Sequence, residues 1–334
     1  MGEIGKKVIK NQDAIVIIDP LESGKNRIYV EAKKNNLFMP FNTWETSYNI
    51  NLIKKILEIK GPAYLCDEIM QDESFDYLQK SFKYSILGYT DEKEFEKKRI
   101  LDFGCGSGAS TMILARMFPK TNIIGIDLER KLLELAKLRA KHYNFTDITF
   151  LQSPTPNSLP QNIGEFDYVI LSAVFEHLLP RERTELLPKI WKLLKPKGVL
   201  FINRTPYRYF PIETHTTGLP FINYLPKKLS LWYTQKLSKR NLAKDNWETL
   251  LRKGIRGSNV REIYKILQNT PQKPILLQPQ RLGLKDRVDL WYNETNTKRF
   301  KLIKKALFFS LKSLKILTRF TLVPSLSLAI KKSN

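Results

Sequence analysis

The sequence predicts an α/β fold, a doubly wound and mostly parallel sheet with helices on both faces. Three observations carry this. Between residues 99 and 205, short apolar runs alternate with stretches of helical period; a glycine-rich turn follows the first run; and an aspartate closes the second. Strands written as near-continuous apolar runs are buried on both faces, as in a parallel sheet.

The elements are expected in this order. A strand over 99–103 leads into a helix over 109–118, then a strand over 122–128, a helix over 129–143 and a strand over 148–151. The alternation resumes with a strand over 166–173, a helix over 181–194 and a strand over 198–203. Ahead of this core, 14–19 and 27–32 read as a hairpin turning at Ser23-Gly24. From Trp44 to about Lys98 the apolar spacing is helical, broken at Gly61-Pro62, and predicts a helical cap. The expected organisation is therefore 1–98 hairpin and cap, 99–205 catalytic core, 206–296 substrate cover and 297–334 a basic amphipathic tail.

The 334 residues carry 56 Lys and Arg against 33 Asp and Glu, a net charge of +23. Such a field attracts phosphate, whether on nucleic acid, an anionic lipid or a small substrate. Cys66 and Cys105 stand far apart with no metal-ligand spacing, so neither a disulfide framework nor a metal site is expected. No apolar run follows the N-terminal lysines, because Asn11, Gln12 and Asp13 intervene, so no secretory leader is expected and the reading is cytoplasmic.

The chemistry concentrates at Leu101-Asp102-Phe103-Gly104-Cys105-Gly106-Ser107-Gly108. Glycines let the chain turn sharply at a strand end and approach a ligand without an obstructing Cβ. Dinucleotide enzymes use a related pattern, but Asp102 would repel a pyrophosphate and suits a cofactor with a cationic end. Asp127, closing Ile123-Ile124-Gly125-Ile126-Asp127, is placed to accept hydrogen bonds from ribose hydroxyls. The competing structural reading is that the glycines only close a turn and Asp127 only caps the next helix.

With these residues in view, the chain resembles the class I S-adenosylmethionine-dependent methyltransferases, a Rossmann-like family, in its small-molecule and glycan-type group. The resemblance covers roughly 99–205. It rests on Ile100-Leu-Asp-Phe-Gly-Cys-Gly-Ser-Gly108, Gly125-Ile-Asp127, Phe166-Asp-Tyr-Val-Ile-Leu-Ser-Ala-Val-Phe-Glu-His-Leu178 and Leu194-Lys-Pro-Lys-Gly-Val-Leu200. It implies S-adenosylmethionine as cofactor. Asp102, Gly104, Cys105 and Gly106 would sit at the amino-acid end, Asp127 on the ribose, Leu128 beside adenine and Ala173 along the cofactor. Where the family has an aspartate for the adenine amino group, this chain reads Gln152-Ser153-Pro154, so Ser153 or a backbone carbonyl is expected to substitute.

A hydroxyl acceptor calls for a base, and only His142, His177 and His215 are available. His142 falls late in a core helix. His177 follows Glu176 just past a cofactor-bordering strand, a pair the family shares. His215, in a polar loop after the strand over 198–203, is the expected base, oriented by Glu213. That loop and the following Phe221-Ile-Asn-Tyr-Leu-Pro226 are similar to stretches in methyltransferases of bacterial surface-glycan clusters. The Asp/Asn-Pro-Pro-aromatic tetrad of nucleic-acid amine methyltransferases is replaced by Ser172-Ala173-Val174-Phe175. O-methylation of a small molecule, sugar or lipid-linked acceptor is therefore the leading expectation. Methylation of RNA ribose or tRNA is the alternative, and a non-catalytic scaffold the second.

Residues 297–334 hold ten Lys or Arg and no acid. As a helix, Lys298, Lys301, Lys304, Lys305, Lys312, Lys315 and Arg319 share one arc, with Arg299 outside it; Phe300, Leu302, Ile303, Leu307, Phe309, Leu311, Leu314 and Leu317 take the remainder. The expectation is an interfacial helix on an anionic membrane, peripheral on the inner face of the cell membrane and interrupted at Pro324. The competing expectation is that the apolar arc packs on the core with the lysines in water. Nucleic acid is a less favoured partner of the same lysines.

Overall fold

The structure of the protein, a computed structural model, describes residues 5–33, 37, 39–295 and 300–334. Its N-terminal unit is a four-stranded antiparallel sheet in sequence order: β1 (Lys7–Lys10), β2 (Ala14–Pro20), β3 (Asn26–Ala32) and β4 (Thr43–Thr46). The expected hairpin is β2–β3, paired from Ala14↔Ala32 to Pro20↔Asn26, and each of its strands gains a further partner. Alternation sends Ala14, Val16, Ile18, Ile28 and Val30 into one apolar cluster with Leu52, Ile53, Ile56 and Ile69 of the cap helices.

Those helices are α1 (Ile50–Lys60), α2 (Leu65–Glu73) and α3 (Lys80–Leu87). Trp44, expected to open the helical cap, lies in β4 instead; α1 starts only where Asn49 caps it, accepting from the Leu52 N–H at 3.0 Å. Gly61, at φ +78, ends α1 where the Gly61-Pro62 break was read.

The central sheet has seven strands: β5 (Arg99–Phe103), β6 (Asn122–Asp127), β7 (Ile148–Gln152), β8 (Phe166–Ser172), β9 (Leu194–Pro206), β10 (Pro274–Leu276) and β11 (Ser325–Lys332). Their spatial order is β10-β11-β9-β8-β5-β6-β7. The strands from β7 to β9 are parallel, and β11 runs antiparallel between β9 and β10. Helices α4 (Ala109–Met117), α5 (Arg130–His142) and α6 (Pro180–Lys192) are the helical crossovers, and α7 (Lys227–Leu237), α8 (Trp247–Arg252), α9 (Val260–Gln268) and α10 (Arg287–Glu294) follow β9 in the chain. From β5 the chain winds outward to β6 and β7, then returns to β8 on the other side. The order thus reverses between β5 and β8, and ligands of such sheets bind in the crevice outside the strands' carboxyl ends at that point.

Two expectations about the chain's end are corrected. β11 was not read as a strand, yet Leu326, Leu328 and Ile330 are at most 2% exposed and complete the sheet beside β9. A short apolar run after a basic helix reads as a tail; only its pairing with β9 makes it core. The helix is α11 (Lys301–Thr318), and its two faces are mixed: Leu311, with Leu307 and Phe308, packs on the core and Lys301, Lys305 and Arg319 are exposed, but other lysines turn inward. Lys304 donates to the carbonyls of Tyr292 and Thr295, while Lys312 and Lys315 reach Asp286 at 2.8 and 2.7 Å, so these lysines face the protein. Leu302 and Leu317, at 83% and 82% exposure, face outward with Ile303, Phe309 and Ile316. Lys298 and Arg299 lie outside the described residues. No helix among the described residues is long and apolar enough to cross a membrane.

Candidate active site

The crevice at the β5/β8 reversal is a cavity of about 310 Å³. Phe103 and Gly104 line it from the end of β5, Ile126, Asp127 and Leu128 from the end of β6, Ser153, Thr155 and Pro156 from beyond β7, and Ala173, Val174, His177 and Leu178 from beyond β8. Arg252, at the end of α8 (Trp247–Arg252), closes it from the cover.

The glycine loop is held from below. Gly104 and Cys105 both donate N–H to the Ile126 carbonyl, and the Gly106 N–H donates to Asp127 Oδ2 at 2.8 Å. Gly104 has φ +74 and a Cβ there would stand 2.5 Å from Val174 Cγ2, so close approach and backbone sign both require glycine. A Cβ on Gly106 would meet nothing within 4 Å. Beneath the loop Arg139, fully buried on α5, donates to the Ser107 carbonyl and hydroxyl and to Glu68 of α2. The Ser107 hydroxyl also donates to Glu68.

Three of the expected cofactor residues, Asp102, Cys105 and Gly106, lie off the cavity lining. Asp102 is 1% exposed and does not line the cavity: its Oδ2 accepts from the Ser110 and Thr111 hydroxyls at 2.7 and 2.6 Å, tying the strand end to α4. Burial pushes its carboxyl up to about 6 against those two hydrogen bonds. Cys105 packs away from the cavity among Met112, Leu133, Ala136 and Phe150, and burial raises its thiol well above the ordinary value. Successive residues leave the strand on opposite sides, so Gly104 turns to the crevice and Cys105 to the helices.

Asp127, Leu128, Ser153 and Ala173 do line the cavity. Asp127 also accepts the Glu129 N–H at 3.0 Å in a turn just before α5, whose N-cap is Glu129 without a side-chain cap bond, so the helix-cap reading of Asp127 is corrected. Ser153 Oγ is buried without a partner, the kind of vacancy an adenine amino group fills. With an open glycine face, a rim carboxylate and this hydroxyl, the residues fit the S-adenosyl group.

Across the cleft the expected base and its orienter separate. Glu213 is buried and spent on its own loop, accepting from the N–H groups of His215, Thr216 and Thr217 and from the Thr217 hydroxyl. The carboxylate that faces the imidazoles is Glu176, one residue before His177. Glu176, His177 and His215 each present a ligand atom within 4.8 Å of the others. His177 Nδ1 lies 2.7 Å from the Arg252 carbonyl, and its ring centroid is 5.4 Å from that of His215. Desolvation first, then His177, Arg240 and Arg204, hold the His215 imidazole down to about 4. Glu176 Oε2 accepts from the Thr205 hydroxyl at 3.1 Å, while Oε1 has no hydrogen-bond partner. Arg252 gave no local signal in the sequence, whereas the Glu176-His177 pair was visible but its carboxylate had no assigned role. His142 ends α5, with Nε2 3.4 Å from Ser47 Oγ, outside the cleft.

Residues 100–198 match the model of a family described as methyltransferase domain. Among curated relatives, this chain is 33% identical over 109 residues to a carboxy-S-adenosyl-L-methionine synthase of Campylobacter jejuni, covering 31% of this chain and 43% of that protein. It is 26% identical over 137 residues to a malonyl-[acyl-carrier protein] O-methyltransferase of Halalkalibacterium halodurans, covering 39% and 49%. The chain thus spans less than half the length of these two relatives. Among solved structures, the plantazolicin methyltransferase BamL aligns with 85% of this chain and 96% of its own at 17% identity and a TM-score of 0.45. The core is a class I S-adenosylmethionine-dependent methyltransferase domain, α/β with a Rossmann-like sheet, and its cofactor is S-adenosylmethionine.

Proposed function

We propose that the protein transfers the methyl group of S-adenosylmethionine to an oxygen of a small, sugar-like or lipid-linked acceptor. The observation that carries this is a single cavity shared by Asp127, Leu128 and Ser153 on one wall and His177 on the other, with His215 and Glu176 beside His177. Methyl transfer needs a nucleophile held in line with the activated methyl, so positioning supplies much of the rate. When bound, the cofactor supplies the electrophilic methyl. Asp127 would orient it through the ribose, Ser153 through the base, and the bare glycine face would admit its amino-acid end. Glu176, His177 and His215 form the polar end at which the acceptor hydroxyl would give up its proton. Residues 206–296 bring His215 and Arg252 to that end and act as the acceptor's cover. Calorimetry with S-adenosylmethionine, followed by transfer of labelled methyl into a cell extract, tests the reading. No binding, or binding with no labelled product, would reject it.

A lipid-linked acceptor at the cell's inner membrane surface is favoured by a second observation. Leu302, Ile303, Phe309, Ile316 and Leu317 stand out from α11 with Lys301, Lys305 and Arg319 also exposed beside them, an apolar strip flanked by cations. Phe320 continues the strip to Tyr209, at 6.4 Å between rings, and borders a groove of about 990 Å³ containing Arg261, Arg287 and Arg319, suited to a phosphate-bearing headgroup. Flotation on vesicles with and without anionic lipid tests it; equal flotation of wild type and Ile316→Ser/Leu317→Ser would exclude this strip as the anchor.

A further inference from the structure

Three side chains from two distant parts of the chain meet beside the cleft. Glu176 and His177 follow β8, and His215 comes from the cover loop. Their disposition is that of ligands rather than of a hydrogen-bonded relay. A backbone carbonyl can only accept, so the 2.7 Å contact to Arg252 fixes the proton of His177 on Nδ1 and leaves the Nε2 lone pair free. That Nε2 is 3.9 Å from Glu176 Oε1, too far for a hydrogen bond. Glu176 is fully buried, its Oε2 is held by Thr205, and its Oε1 is left bare toward the imidazoles. Metal-bound histidines characteristically donate their second N–H to a carbonyl or carboxylate, and bound carboxylates are similarly held by a further hydrogen bond.

Gly254 keeps the space between them open. Its φ is +91, and a Cβ there would lie 2.8 Å from His215 Cδ2 and 3.3 Å from Glu176 Cγ. Three ligand atoms within 4.8 Å of one another need to close to roughly 3.4 Å to share an ion at about 2.1 Å. Both imidazoles are reachable from outside, the His177 side chain being 41% exposed and His215 exposed on an otherwise anchored turn. Of the nearby cations, Arg252 is already paired with Glu182 at 2.5 Å, Arg240 is engaged by the His215 carbonyl, and Arg204 lies over the Tyr77 ring.

We propose that Glu176, His177 and His215 bind one divalent transition-metal ion of the zinc type, leaving its remaining positions for water and the acceptor's oxygen. Two imidazoles and one carboxylate with open positions are the ligand set of catalytic zinc and of non-haem iron sites. The ion would polarise the acceptor hydroxyl and lower its pKa, so that the proton departs to water. This role, though not the binding itself, rests on the methyl-transfer reading above.

The test uses the full chain, freed of metal with a chelator, dialysed and titrated with zinc chloride by calorimetry. One saturable site is expected, weakened more than about tenfold in His215→Ala and in Glu176→Gln. Cobalt(II) should give visible absorption bands that both variants lose. Zinc should raise the midpoint of thermal unfolding of the wild type and leave that of His215→Ala unmoved. This comparison remains decisive if Glu176→Gln folds poorly. Absence of a saturable site, or unchanged affinity in His215→Ala, overturns the proposal. S-adenosylmethionine is titrated into the same sample: cofactor binding without zinc binding rejects the ion alone, and zinc binding without cofactor binding rejects the methyl-transfer reading alone.

Discussion

The two walls of the cleft differ in how their polar groups are satisfied. Around the glycine loop, the side chains of Asp102, Ser107 and Asp127 all have hydrogen-bond partners, and Arg139 donates through both terminal nitrogens with only its Nε left bare. Behind the opposite wall, next in sequence to the lining residues Ala173 and His177, Ser172 Oγ and Glu176 Oε1 are buried with no partner, as are both side-chain polar atoms of Asn203, which pairs with Ser172 across β8 and β9. An unsatisfied buried group costs about 1–3 kcal/mol, a cost that persists where a ligand or ion later supplies the partner. The cofactor wall is thus prebuilt, and its one bare hydroxyl, Ser153, sits where the adenine is expected. The acceptor wall keeps its unmet capacity for what binds there.

The largest effect should come from the brace under the prebuilt wall. Arg139→Met strips Glu68 of its buried partner, and the loss of one member of such a pair costs about 3–5 kcal/mol. Denaturant unfolding should register that loss; a variant as stable as wild type would mean the loop needs no brace. Next, His215→Ala should leave cofactor affinity within about twofold while lowering methyl transfer by roughly a hundredfold or more, the scale of lost acid–base assistance. Turnover near the wild-type rate would remove His215 from the chemistry.

A smaller effect is expected at Asp127→Ala, which should weaken S-adenosylmethionine roughly 10- to 100-fold, equivalent to about 1.5–3 kcal/mol for hydrogen bonds to a charged group. Because the same carboxylate holds the Gly106 N–H, Asp127→Asn should recover part of the affinity by calorimetry. No difference between the two variants would separate loop support from ribose binding. The smallest effect on stability belongs to the outward strip: Ile316→Ser/Leu317→Ser should shift unfolding by less than about 1 kcal/mol, since both side chains are mostly in water, 78% and 82% exposed.

The strands β5 to β8 were legible because a parallel sheet buried on both faces writes its strands as apolar runs, and β5, β6 and β8 are each followed by a helix of contrasting period. Asp127 was legible as a rim carboxylate because that position depends on its place at a strand end, whereas its capping role was not realised because α5 starts three residues later, at Arg130. Glu213 was misread because sequence adjacency to His215 suggested a pair, whereas three backbone N–H groups of its own turn had a prior claim on the carboxylate. Lys304, Lys312 and Lys315 of α11 face inward for the converse reason, while Lys301, Lys305 and Arg319 stay exposed. Helical period locates two faces but cannot say which one a neighbour covers, and Asp286 and Asp289 drew the cations inward.

The sequence by itself determined the α/β core, the glycine loop and five of the residues lining the cavity, Gly104, Asp127, Leu128, Ser153 and Ala173. These depend on local periodicity, backbone sign and strand-end position, all written within a few residues. Tertiary structure alone decided that the last strand enters the middle of the sheet's far half, that Glu176 and not Glu213 faces His215, and that Arg252 orients His177. Each of these joins segments far apart in the chain, and hydrogen bonds of that range leave no period in the sequence to read.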